Sequence, residues 1–151
     1  MNELIRPAPL ARRLAAAGYD LLLLIALWML TAFAAVLVGQ GEATPVASRA
    51  FQGVLLGIAW AFNAWFWTHG GQTLGMRAWR LQVRSPGGGP VGWLQASLRF
   101  AVAVPAWLLA GIGLLWCLVD PARRSWQDLA SRTETVLLPP PGPDSDARKS
   151  Q

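Results

Sequence analysis

Four ionisable side chains stand at the borders of apolar runs: Arg13, Asp20, Arg99 and Asp128. In "RRLAAAGYDLLLL" a helix brings Asp20 to within about 20° of Arg13 and about 10 Å along the axis. That is too far for a direct hydrogen bond. Ala16 and Ala17 leave a shallow groove between the two charges, wide enough for another backbone or a long side chain. A carboxylate at membrane depth is costly unless it faces water or a partner. Partners for Asp20 are sought at Arg99, Arg123, Arg124 and Arg132, and Asp128 in "RRSWQDLASRT" is the matching acid. Two chemistries follow from such a cluster: a relay for protons or ions, or a clasp that fixes how helices pack.

Other reactive types are poorly placed. His69, the single histidine, has no metal-ligating neighbours at suitable spacing. Ser125 has no histidine base near it in sequence, and "GGQTLGMR" lacks the Lys-Ser/Thr ending of a phosphate loop. Cys117, the single cysteine, lies in an apolar run and reads as packing. Catalytic, metal-binding and cofactor-binding residues are therefore not expected, and an enzyme is not the reading.

The elements that must position the four charges are membrane helices. The chain of 151 residues is 54% hydrophobic and 14% charged, too little charge to cover a water-soluble surface, where about 25% is usual. Its net charge of +5 rests on arginines that flank apolar segments, which points to anionic headgroups as partner and away from nucleic acid. Leu21 to Val38 carries no charge over 18 residues, nearly enough to cross a hydrocarbon core of about 30 Å. The triplet Ala32-Phe33-Ala34 resembles a signal-peptide cleavage site, but the apolar run continues past it and the charged leader is long. "GQGEATP", Gly39 to Pro45, breaks the pattern. Ala50 to Thr68 is a second charge-free span closing on Trp65, Phe66 and Trp67 as an interfacial anchor. Gly53 and Gly57 make a G-x-x-x-G pair for close helix approach, and Asn63 is placed to bond across helices.

His69 to Gly92 is polar, with Arg77, Arg80 and Arg84 beside Trp79; helix and strand periodicities both fit it. The third hydrophobic region, Trp93 to Val119, holds Pro105 and enough length for one crossing. Arginines in the N-terminal arm and in the second polar loop place both in the cytoplasm and the first loop outside. Three crossings then leave Arg123, Arg124, Arg132, Arg148 and Lys149 outside, against the same rule. Either the first helices dominate orientation, or "PAWLLAGIG" bends the third segment back. The expected fold is an all-α membrane protein of three transmembrane helices, the third kinked or re-entrant. Residues 1–138 form the membrane domain, and residues 139–151 a disordered Pro-rich tail.

These blocks carry a resemblance. "ARRLAAAGYDLLLL", "GGQTLGMRAWRLQV", "LQASLRF" and "RRSWQDLASRTETVLL" resemble, in order, the RDD family of integral membrane proteins, named for one arginine and two aspartates. By that resemblance Arg13, Asp20 and Asp128 are the named residues, Arg99 a further arginine, and Gly71, Gln72, Thr73 and Gly75 the loop motif. Met76, Gln127 and Arg132 depart from the pattern, standing where lysine, histidine and glycine are common. The family implies a membrane domain of unsettled role for which transport of unidentified ligands has been suggested. The functional expectation is thus a small plasma-membrane protein, of bacterial inner-membrane type, that moves an ion or small ligand through a charged site between helices. As few helices make a poor pathway alone, a homo-oligomer or a larger membrane partner is expected. The alternative is a membrane scaffold in which the charges only hold helices together.

Overall fold

The computed structural model describes residues 6–39, 48–109 and 111–139. The chain runs β1 (Arg6–Pro7), α1 (Leu10–Val38), α2 (Arg49–Thr68), α3 (Leu74–Ala78), β2 (Leu81–Arg84), α4 (Trp93–Leu108), α5 (Ile112–Leu115), a single 3-10 turn (Trp116–Leu118), α6 (Trp126–Ser131) and β3 (Glu134–Leu137). The tail beyond Pro139 and the first polar break beyond Gly39 lie outside the described residues.

α1 starts after Pro9, whose fixed φ suits a helix start, and runs for 29 residues, about 43 Å. Among the described residues it alone is both long and apolar enough to cross a membrane by itself. Leu21, Leu22, Ile25, Met29, Leu30, Phe33 and Leu37 are exposed among the described residues, an outward apolar surface of the kind lipid can cover. α2 has 20 residues, capped by Ser48 accepting from Phe51 N–H at 3.2 Å. Its length suffices to span, while Gln52, Asn63 and several tryptophans lower its hydropathy.

The chain is mostly helical rather than all-α. The second loop, which fits helix and strand periodicities alike, supplies β2 of a three-stranded antiparallel sheet in the order β1-β3-β2, and β1 and β3 are strands the sequence did not suggest. Both periodicities in the second loop are used: α3 takes Arg77, and "LQVR" alternates buried Leu81 and Val83 with outward Gln82 and Arg84. Arg84 faces Glu134 across the register and donates to it at 2.6 Å, so it is occupied by protein and less free for headgroups than expected.

The sheet gathers the N-terminal arm, the α2–α4 connection and the C-terminal segment at one end of the helices. The core lies under it. Ala64, Trp67, Val83, Val91 and Ala96 pack where α2, β2 and α4 meet, and Ala8, Ala16 and Leu81 where α1 meets the sheet, with Met76 touching both groups. Trp67, expected at the lipid interface, is in this core; Trp65 is the exposed ring.

The third hydrophobic region is not one straight crossing. Pro105 lies within α4 without ending it. The reversal comes after it, where Gly111 takes the left-handed φ of 76° and the next helix departs by 110°. α4 is about 24 Å long, short of a hydrocarbon core. The chain then returns to the sheet end, where the Arg123 carbonyl meets Arg13.

Candidate functional site

Asp128 is the hub. It sits at the third position of α6 and reaches back to the N-cap, accepting from Ser125 N–H at 3.0 Å and Ser125 Oγ at 2.9 Å. This short acidic step after a serine is the local reason the carboxylate points inward. The same oxygen accepts from Arg13 Nη1 at 2.7 Å; the other accepts from Arg99 Nη1 and from Thr135 Oγ1 at 2.9 Å. Asp128 is 0% exposed and Arg99 1%. Burial alone would push the Asp128 carboxyl up. The Arg99 and Arg13 guanidiniums and the Ser125 amide outweigh it and hold the group well below the usual carboxylate range.

Arg13 spends its remaining donors on backbone: Nε on Ala8 O at 3.1 Å, and Nη2 on Arg123 O at 2.9 Å and Thr135 O at 3.2 Å. One side chain on α1 therefore fixes β1, β3 and the turn before α6. Arg99 reaches Thr133 Oγ1 and Thr135 Oγ1, each at 2.9 Å, and lies over the Trp67 ring, 5.2 Å from its centroid. Spacing could not reveal Thr133, Thr135, Ser125 or Trp67 as parts of this site. Their types are common, and only the sheet and the α6 turn bring them inward.

Asp20 does not join the hub. None of the arginines considered for it is its partner; it accepts from Thr73 Oγ1 and, at 2.8 Å, from Gly75 N–H. A carboxylate can be satisfied by a hydroxyl and an amide at the head of a helical turn, and α3 supplies both. The groove over Ala16 holds Gly75. A Cβ at Gly75 would run into the Ala16 carbonyl and the Asp20 carboxylate. The loop motif is thus a docking device: Thr73 also caps α3 by accepting from Met76 N–H at 3.2 Å, and Gln72 Nε2 donates to Leu81 O at 2.7 Å. Gly71 adopts a φ of 72° tight against the Val83 backbone.

The expected helix-contact residues behave differently. Gly53 and Gly57 are exposed, with nothing among the described residues within 4 Å of where a Cβ would be. Asn63 bonds within its own helix, donating to Ala59 O at 2.8 Å, the carbonyl four residues back. His69 stacks on Trp65 with centroids 4.0 Å apart.

A cavity of about 720 Å³ opens among α1, α2 and α4. Its polar lining, including Arg13, Asp20, Arg99, Gln127 and Thr135, comes from β3 and from the N-terminal parts of α1, α4 and α6. Its apolar lining, including Leu24, Trp28, Leu56, Val104 and Trp107, comes from farther along the helices.

No curated protein and no solved structure matches this chain. The RDD family profile matches residues 7–132, which takes in the Arg13–Asp128 pair, the Asp20 docking loop and Arg99. With most of its length matched, the chain belongs to the RDD family.

Proposed function

We propose that this chain is an integral membrane domain that takes a small ligand into the cavity among α1, α2 and α4 and passes it across the bilayer, while the Arg13–Asp128–Arg99 bonds clasp the floor of that cavity. The cavity carries the reading: its volume and mostly apolar lining, with a few convergent polar groups, are those of a ligand site. A proton relay through Asp128 is not part of it. A carboxylate that two guanidiniums hold well below the usual carboxylate range stays ionised near neutral pH and is poorly matched to exchanging protons there.

In this reading α1 and α2 cross the membrane, and α4 with α5 forms a re-entrant hairpin. The sheet end faces the cytoplasm, where exposed Arg77, Arg123, Arg124 and Arg132 meet anionic headgroups. That arrangement removes the conflict of three crossings, which strand the late arginines outside. The setting is a bacterial inner membrane, and the role is not enzymatic. Two crossings and a hairpin are few for a closed pathway, so a homo-oligomer or a larger membrane partner completes it.

The test is efflux from liposomes holding the purified full chain and a pool of labelled solutes: sodium, an amino acid and a fatty carboxylate. Gly18 lines the cavity and has nothing within 4 Å of its Cβ direction, so Gly18→Leu fills it without touching the clasp. Wild type should speed the efflux of one solute, and Gly18→Leu should abolish that at unchanged folded yield. Identical, unaccelerated efflux for both proteins sinks the reading. A second reading, the ligand-free scaffold, is favoured by the complete internal bonding of Asp128, and such a result would leave it standing.

A further inference from the structure

The geometry points to an amphiphile with an oxyanion head and a hydrocarbon tail as the occupant of the cavity among α1, α2 and α4; this rests on the ligand-binding reading above and names its ligand class. Two polar groups there are buried without a hydrogen-bond partner among the described residues: Nε of Arg99 and Nε1 of Trp67. Both residues line the cavity, and the Arg99 guanidinium lies over the Trp67 ring, so the two orphan donors are neighbours. Both groups only donate. What they lack is an acceptor, and leaving buried donors unmade is costly. A phosphate or carboxylate oxygen accepts from several donors at once and suits a guanidinium best. The third such group, Nε1 of Trp79, belongs to a residue outside the cavity lining.

Charge points the same way. Arg13 and Arg99 share a single carboxylate, Asp128, so the positive excess sits at that end of the cavity, and the balancing charge, Asp20, stands about 10 Å along α1 from Arg13. Asp20 also lines the cavity, with both oxygens already engaged by Thr73 and Gly75, so an anion seats toward Arg99. Both nitrogens are closed off from solvent, so the head reaches them only where the Arg99–Trp67 contact opens on binding.

The tail follows from the rest of the lining. Trp28 stands 15 residues beyond Arg13 on the same helix, about 22 Å away. One leaflet of hydrocarbon is about 15 Å deep, so an alkyl chain anchored at Arg99 runs its length between Leu24, Trp28, Val104 and Trp107. Trp28 itself is content, donating to Leu55 O at 3.0 Å, and offers the tail only its ring.

The experiment is quenching of tryptophan fluorescence of the full chain in an uncharged detergent. The probes are a tail-brominated fatty carboxylate, its methyl ester, and a tail-brominated phosphatidylglycerol. The carboxylate should quench saturably at one molecule per chain and bind about tenfold or more tighter than the ester, the scale of one hydrogen bond to a charged group. Trp67→Phe, which keeps a ring and loses the donor, should narrow that preference, and Gly18→Leu should abolish the saturable phase. Equal saturation by phosphatidylglycerol assigns the head to a bilayer phospholipid; saturation by the carboxylate alone assigns it to a free acid. Equal behaviour of carboxylate and ester, or saturable quenching that survives Gly18→Leu, overturns the inference. Anion-selective quenching without efflux of any solute defeats transport and leaves this assignment intact. Efflux of sodium or the amino acid without anion-selective quenching does the reverse.

Discussion

Arg13 donates to Asp128 at 2.7 Å across 115 residues of chain, and that one bond ties the first turn of α1 to the start of α6. Removing one member of a buried pair leaves the other's charge uncompensated, a loss of about 3–5 kcal/mol. Asp128→Asn strands two guanidiniums. It should lower the thermal midpoint in detergent sharply and reduce folded yield. Arg13→Gln added to it should cost less than its effect alone, since the bond to Asp128 is already gone and only the three backbone bonds of Arg13 are left to lose. Additive losses would mean the two residues stabilise the fold separately.

The acid limb of stability should belong to the same residue. The folded carboxyl of Asp128 sits below its ordinary value of 3.8, so the stability it contributes is present above that value and lost as pH falls through the folded one. The thermal midpoint should stay level from neutral pH down to about 5 and fall below about 4. Asp120, half-buried and lowered by its bond to the exposed Arg124, acts in the same direction. Asp128→Asn should flatten the acid limb, and an unchanged acid limb in that variant would refute the assignment.

Arg132 ends α6 in the left-handed conformation, with φ 49° and ψ 50°. An L side chain there is strained by roughly 1–2 kcal/mol, and glycine is the usual residue at such a helix end. The Arg132 side chain is exposed and its loss removes no buried contact. Arg132→Gly should therefore raise the midpoint in chemical denaturation, by an amount equivalent to about 1 kcal/mol. A fall would show that the arginine head makes a contact worth more than its backbone strain.

Gly75 is the reverse case. A methyl there meets the Ala16 carbonyl and Asp20, so Gly75→Ala must push α3 off α1 and break the Asp20 bond to Gly75 N–H. Overpacking of this kind costs about 1–3 kcal/mol. The local consequence is faster trypsin cleavage at Arg77 and Arg80, read on the detergent-purified protein. Unchanged cleavage would mean the loop is held by β2 alone.

How much of this was legible in the sequence depends on the range of the force involved. Long apolar helices are a property of local composition, so α1 and α2 could be read directly as helices. Arg13, Arg99 and Asp128 stood out because ionised groups beside apolar runs are rare and need company. The pairing of Asp20 was not legible. The natural partners for a carboxylate are arginines, whereas a hydroxyl and an amide from a glycine-rich loop suffice once Gly75 lets that loop sit on Ala16. β1 and β3 escaped because they are short and owe their pairing to each other across the chain. Met76, odd against the family pattern, makes sense only in place, packed into both parts of the core.

The sheet also commits the chain to a sidedness that can be measured. β1, β2 and β3 cannot share hydrogen bonds unless the N-terminal arm, the second loop and the C-terminal segment lie on one side of the bilayer. Pro86 and Ala122 are exposed in the two later segments, and Glu42 lies in the first loop. With Cys117→Ala as background, single cysteines at these three positions can be treated in intact cells with a thiol reagent that does not cross membranes. Pro86→Cys and Ala122→Cys should both be protected until the cells are opened, while Glu42→Cys reacts at once. Labelling of Ala122→Cys from outside with Pro86→Cys protected would restore three crossings, and β3 could then not pair with β2 in the membrane.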